Sequence, residues 1–289
     1  MKRILVATDL SPGSMNALAR AIQLAAPTGA SIRILHAIGR SASSDASMAT
    51  RKRIIREVHA MAAAIAGHDL EFTLSISSRP AGEAIVRKAA KFGADLVLLG
   101  GHGELRFRDA IFGTTATYVV RHCDRPVLIV QNEDAAPYAK VMVALDHSGS
   151  AGPTLAATLA VAPVAQLFAV HAFDPPLAEL FRGSKGVLEG ELRERAEIEA
   201  LLARLTGEDP RPAAASHALV APGDVLTVLM GRFAELKPDL VAMGTRKHAS
   251  FIGSHAVDTL YWCPNDILIV PEHVNAELDD PTPGAVVFA

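Results

Sequence analysis

The chain repeats itself, and this limits what it can fold into more than any other feature. "KRILVATDLSPGS" (residues 2–14) stands beside "AKVMVALDHSGS" (139–150). In both, an apolar run ends in an aspartate with a serine two residues later, so Asp9 matches Asp146 and Ser11 matches Ser148. "IRILHAIG" (32–39) answers "LFAVHAFD" (167–174), which sets His36 on His171. "AGEAIVRKAAKFGADLVLLG" (81–100) answers "PGDVLTVLMGRFAELKPDLVAMG" (222–244), and "VVRHCDRPVLIV" (119–130) answers "TLYWCPNDILIV" (259–270), placing Cys123 on Cys263. Matches in one order at a near-constant offset mean a duplicated domain, not a solenoid of short units. The expected division is a first domain at 1–132, a second at 138–273 and a C-terminal tail at 274–289, with the polar, Ala/Pro-containing "QNEDAAPYA" (131–139) as linker.

Within the first repeat, strand and helix patterns alternate. "RILVAT", "SIRILHAI", "DLVLLG" and "PVLIV" are near-continuous apolar runs, as expected of parallel strands covered on both faces, whereas "EFTLSIS" alternates and suits a strand nearer an edge. A helix is announced by Ser11 as its cap and Pro12 at its first position, and runs through "MNALARAIQLAA" to a stop near Gly29. "MATRKRIIREVHAMAAAIAG" reads as an amphipathic helix ending at Gly67, and "GEAIVRKAAKFG" as one ending at Gly93. Strands alternating with helices imply an α/β fold, each repeat a Rossmann-like, doubly wound parallel sheet with right-handed crossovers.

Charge is unevenly divided: residues 1–136 hold 17 Lys/Arg against 12 Asp/Glu, and residues 137–289 hold 11 against 19. The basic half favours an anionic small ligand, and the acidic half argues against the same ligand twice. Two cysteines exclude a disulfide framework and a four-cysteine zinc site within the chain, and both read as small buried side chains. "MKR" leads directly into the strand-like "ILVAT", and no apolar stretch reaches the roughly 18 to 20 residues of a membrane helix, so the expectation is a cytoplasmic protein that makes no membrane contact.

In an open α/β sheet, ligands bind outside the carboxyl ends of the strands. At that end of the fourth strand stands "GGHGELRFRDAIFGTT" (100–115), which brings Gly100, Gly103 and Gly113 before the hydroxyls of Thr114 and Thr115. Glycine lets backbone approach a bound group closely. A helix opening at Gly113-Thr114 turns unsatisfied N–H groups toward the same edge, as phosphate requires. Asp9 ends a buried apolar run, where a carboxylate needs a reason, and can accept hydrogen bonds from an adenine or ribose.

The spacing Gly100-x-x-Gly103, nine residues, then Gly113-Thr114 resembles the ATP-binding motif of the universal stress proteins, G-x-x-G-x9-G-(S/T). The flanking "ILVATDLSPGS" and "VVRHCDRPVLIV" are similar to that family's first and last segments. The resemblance covers almost all of 1–130 and, more weakly, 139–270. It implies five-stranded sheets ordered 3-2-1-4-5. It also implies ATP as ligand, with ADP or AMP as alternatives and Mg²⁺ alongside the phosphates. On this pattern Asp9 and the backbone of Ala37 address adenine and ribose, while Gly100, Gly103, Gly113, Thr114 and Thr115 hold ribose and phosphates. A pseudo-dimer of the two repeats within the chain, and a homodimer, are the further partners it suggests.

The second repeat departs from the motif. "GTRKHASFIGS" keeps Gly244 and Gly253-Ser254, but Lys247 replaces the middle glycine and the following loop is four residues shorter. It is therefore expected to hold a different ligand or none, giving one ATP per chain. Other polar residues have plainer readings. His36 and His171 read as core or edge histidines, and His102, Arg106 and Arg108 as loop residues that reach phosphate or face water. "RKRIIRE" (51–57) reads as a solvated helix face, which makes nucleic acid an unlikely partner. The chain lacks the lysine-bearing P-loop, a G-x-G-x-x-G after the first strand and a G-x-S-x-G elbow. The expectation is a nucleotide-dependent regulatory or stress-response module with at most slow ATP hydrolysis. The alternatives are an adenylating or hydrolysing enzyme of the related adenine-nucleotide hydrolase-like superfold, and an interaction protein with a vestigial pocket.

Overall fold

The computed structural model describes residues 1–38, 44–68, 70–101, 114–206, 216–245, 247–248, 251–252, 254–272 and 286–288. They belong to two compact units, 1–136 with 274–289, and 137–273.

In the first unit the apolar runs become β1 (Arg3–Ala7), β2 (Ser31–Ala37), β3 (Phe72–Ser77), β4 (Leu96–Gly100) and β5 (Val127–Val130). They pair in parallel in the order β3-β2-β1-β4-β5. Ile4, Leu5 and Val6 of β1 and Val97 and Leu98 of β4 are fully buried, as strands with helices on both faces must be. Between the strands lie α1 (Pro12–Ala25), α2 (Ser44–Ala66), α3 (Ala81–Phe92) and α4 (Thr114–His122). Ser11 caps α1, its Oγ accepting the Ser14 N–H at 3.3 Å, and Pro12 opens the helix. Gly93 ends α3 in the left-handed conformation (φ 61°), its N–H returning to the carbonyls of Ala89 and Ala90. Arg20 on α1 is buried and donates from Nη1 to the Ala136 carbonyl at 2.5 Å and from Nη2 to that of Asp134 at 2.8 Å, tying the residues after β5 to the helix.

The second unit repeats the plan with β6 (Lys140–Ala144), α5 (Ala151–Val161), β7 (Gln166–Phe173), α6 (Leu177–Leu180), α7 (Gly183–Thr206), β8 (Ser216–Pro222), α8 (Val225–Leu236) and β9 (Leu240–Thr245). A small antiparallel pair follows, β10 (Lys247–His248) with β11 (Phe251–Ile252), then α9 (Ser254–Trp262) and β12 (Asp266–Pro271). The parallel order is β8-β7-β6-β9-β12, the order of the first unit. The shortened loop of the second repeat is thus built partly as a hairpin.

One device recurs at the amino ends of both sheets. Asp95 Oδ2 accepts the N–H groups of Lys2 and Arg3 at 2.6 and 3.0 Å, and Asp239 Oδ2 accepts those of Ala139 and Lys140, both at 2.8 Å. The aspartate that opens "DLVLLG" and "DLVAMG" therefore satisfies backbone donors at the start of the neighbouring strand. Both lie at the opposite end of the strands from their carboxyl ends.

The tail adds a strand that the repeat pattern does not predict. β13 (Val286–Phe288) pairs antiparallel with β3, Val286 opposite Leu74 and Phe288 opposite Phe72, extending the first unit's parallel set at its edge. Among the described residues no helix is long and apolar enough to cross a membrane.

Candidate functional site

A cavity of about 720 Å³, including its solvent-open part, lies over the carboxyl ends of β1 and β4 in the first unit. Its polar lining comes from the turn between β1 and α1 (Thr8, Asp9, Ser11, Ser14), and Leu35, Ile85 and Leu99 contribute apolar wall. Ala37, Gly100 and Thr115 also line it. Apolar wall with a few convergent polar groups is the mixture found in small-molecule sites.

The turn is held by hydrogen bonds centred on Thr8, the residue after β1. His36 Nδ1 lies 2.7 Å from the Thr8 carbonyl, so this nitrogen carries the proton. Thr8 Oγ1 and Ser14 Oγ are 3.0 Å apart, Leu10 N–H donates to Thr8 Oγ1 at 3.0 Å, and Leu10 takes φ 67°. A left-handed leucine is strained, and it reverses the chain so that Asp9 points back at Ser11. Ser11 donates to Asp9 Oδ1 from its N–H at 2.9 Å and from its hydroxyl at 2.5 Å. Burial alone would raise the Asp9 carboxyl, but the hydrogen bonds from Ser11 and Ser14 outweigh it and hold the group below the ordinary aspartate value. Asp9 is therefore an anion at neutral pH.

Gly100 has a reason that the sequence does not reveal. A Cβ on Gly100 would stand 2.4 Å from the carbonyl carbon and oxygen of Gly13, and one on Gly13 would stand 2.1 Å from the carbonyl oxygen of Gly101. The end of β4 lies directly on the first turn of α1, and close packing of two backbones, rather than left-handed geometry, requires the missing side chain at Gly100.

Of the residues expected at the site, Asp9, Ala37, Gly100 and Thr115 meet around the cavity. Thr114 begins α4 and is exposed. Gly103 and Gly113 lie outside the described residues, as do His102, Arg106 and Arg108. Thr8 and Ser14 escaped notice in the sequence, and His36, read as a core or edge histidine, holds the Thr8 carbonyl. The signal available was the comparison of repeats, since Thr8 faces Leu145 and Ser14 faces Ala151 when the aspartates are aligned.

The second unit keeps part of this arrangement. Asp146 Oδ1 accepts the Ser148 N–H at 3.0 Å and the Ser148 hydroxyl, and His171 Nδ1 lies 2.9 Å from the Leu145 carbonyl. Ser150 occupies the position of Gly13, and a Cβ on Gly244 would stand 2.4 Å from its Oγ.

Comparison with known sequences and structures places the fold. The sequence model of the universal stress protein family matches residues 1–131 and again 137–271. A universal stress protein from Archaeoglobus fulgidus DSM 4304 is 18% identical and superposes with a TM-score of 0.68 over 93% of this chain and 98% of that one. A putative universal stress protein from Pseudomonas aeruginosa UCBPP-PA14 is 18% identical, with a TM-score of 0.65 over 94% of this chain and 93% of that one. At this identity the likeness shows the fold. Comparison with curated proteins gives no match.

Proposed function

The chain belongs to the universal stress protein family, matched over both of its repeats, and on that premise we propose that its first unit binds an adenine nucleotide and serves as a nucleotide-dependent regulatory module. The observation that carries the reading is the cavity at the β1 and β4 ends, lined by Asp9 together with the apolar Leu35, Ile85 and Leu99. Such a wall suits the faces of a purine. Asp9 and the backbone at Ala37 suit donors and acceptors on base and ribose. Thr115 and the first N–H groups of α4 suit phosphate, because a helix N-terminus carries unsatisfied donors and positive dipole. Gly103 and Gly113, at the motif spacing, belong to the same phosphate arm, and Mg²⁺ would accompany the phosphates.

On this reading the signal is occupancy of the site rather than turnover. One nucleotide binds per chain, because the second repeat lacks the middle glycine and has the shorter loop. Calorimetric titration of the full chain with ATP, ADP and AMP tests it. The expected result is one site per chain, weakened at least about tenfold by Asp9→Ala and little changed by Asp146→Ala, a tenfold loss being about 1.4 kcal/mol. Two equivalent sites, or a larger loss from Asp146→Ala, would show that the halves are assigned the wrong way round.

A further inference from the structure

The second unit carries a cluster with no counterpart among the described residues of the first. His147 holds the turn position that Leu10 holds in the first repeat, and its imidazole meets that of His171 with ring centroids 5.1 Å apart. Glu194, from α7, brings Oε2 to 3.2 Å from His147 Nε2 and 3.6 Å from His171 Nε2. One donor atom from each of the three lies within 4.8 Å of the others. Glu197 Oε2 is a further 3.7 Å from His147 Nε2.

We infer that His147, His171 and Glu194 form a binding site for a divalent transition-metal ion, with Zn²⁺ the best fit. Two imidazoles and one carboxylate are a zinc ligand set, and a tetrahedral ion with bonds of about 2.0 to 2.1 Å places its ligands about 3.3 Å apart. The two Glu194–imidazole separations, 3.2 and 3.6 Å, bracket that edge, and every separation in the set is within 4.8 Å.

The surroundings prepare the donors. The Leu145 carbonyl can only accept, so His171 Nδ1 carries a proton there and Nε2 is the ring nitrogen turned toward Glu194. This is how metal-binding histidines are commonly oriented by a backbone carbonyl. Arg193 Nη2 donates to Glu194 Oε1 at 3.2 Å, occupying that oxygen and leaving Oε2 to the imidazoles. His171 is buried, Glu194 partly so and His147 exposed, which gives a rigid inner side and an entry from solvent. The orienting contact predates the duplication, since His36 makes the same bond to Thr8 in the first unit. What the second repeat adds is His147 and Glu194. The site stands at the β6–α5 corner, the counterpart of the proposed nucleotide corner, and its assignment does not depend on nucleotide binding.

The test uses tag-free full-length protein, stripped with a chelator and dialysed, then titrated with Zn²⁺ by calorimetry and with Co²⁺ by visible absorption. One Zn²⁺ per chain is expected, together with the intense visible bands of tetrahedral Co²⁺. His147→Ala and Glu194→Gln should each weaken Zn²⁺ at least tenfold and abolish those bands. His147 is exposed, so its replacement should leave the metal-free melting temperature within a few degrees of wild type, which separates lost ligation from lost fold. Failure to take up one equivalent would overturn the assignment and leave an imidazole–carboxylate hydrogen-bond cluster. Uptake unchanged in the double variant would overturn it as well, by placing the metal on other histidines.

Discussion

Gly100 and Gly13 are in backbone contact: a side chain on the first would begin 2.4 Å from the carbonyl of the second. The edge proposed to bind nucleotide in the first unit is therefore also one of its tightest packing points, where β4 and the start of α1 meet without intervening side chains.

A single methyl at Gly100 should act first on stability. Gly100→Ala must push α1 away from β4, and overpacking of this kind costs about 1–3 kcal/mol. Thermal or denaturant unfolding of the variant without ligand checks this. An unaltered midpoint accompanied by lost ATP affinity would mean that the glycine serves the ligand alone.

Asp9 links the site to acid stability. Its carboxyl is depressed in the folded chain by Ser11 and Ser14 despite burial, which acts the other way. A carboxyl with a depressed folded value contributes stability that is complete above its unfolded value, near pH 4, and is lost as pH falls through the folded value. The deficit of Asp9→Asn relative to wild type should hold steady through neutral pH and shrink in acid below about pH 4. Urea unfolding at several pH values measures it, and a deficit that does not change with pH would rule this role out.

The duplication supplies its own control for a helix end. Gly93 closes α3 at φ 61°, and Lys237 closes α8 at φ 49° with a side chain that disfavours this geometry. Replacement by the first repeat's residue, Lys237→Gly, removes a left-handed penalty of about 1–2 kcal/mol and gives back part of it through a more flexible unfolded chain. A net gain of about 0.5–1 kcal/mol is expected from these two effects. Equal or lower stability in denaturant unfolding would contradict it.

Both thiols should be silent in the folded protein. Cys123 and Cys263 are buried, and burial, aided by the nearby Asp266 carboxylate, pushes the Cys263 thiol up to about 12. The thiolate is the reactive form. A colorimetric thiol reagent at pH 8 should therefore titrate two thiols only after denaturant is added, and rapid labelling of either thiol without denaturant would exclude this.

Much of the architecture was legible because the chain states it twice. The alternation of parallel strands with helices follows from periodicity, the strand order from the resemblance to the family, and the ends at Gly67 and Gly93 and the start at Ser11-Pro12 from local conformational chemistry. What escaped depends on approach between distant segments. Helix α2 begins at Ser44 rather than Met48, since its polar first turn carries no apolar rhythm. The Gly13–Gly100 contact joins residues far apart in the chain, so glycine looked like a ligand requirement alone. Thr8 and Ser14 were hidden in a turn where only Asp9 stood out. Glu194 is one of several glutamates along α7, and only the fold brings it to His147 and His171.

The strand β13 has a consequence for the order in which the chain becomes native. Its partner β3 is synthesised more than two hundred residues earlier, with the whole of the second repeat in between. During translation the β3 edge must wait, its outward N–H and C=O groups solvated, until the second unit has left the ribosome. A contact of such sequence separation forms slowly because so long a loop must close. The first unit thus reaches its native edge last, although it is translated first, and a nascent chain stalled within the second repeat would expose a strand able to recruit another β3.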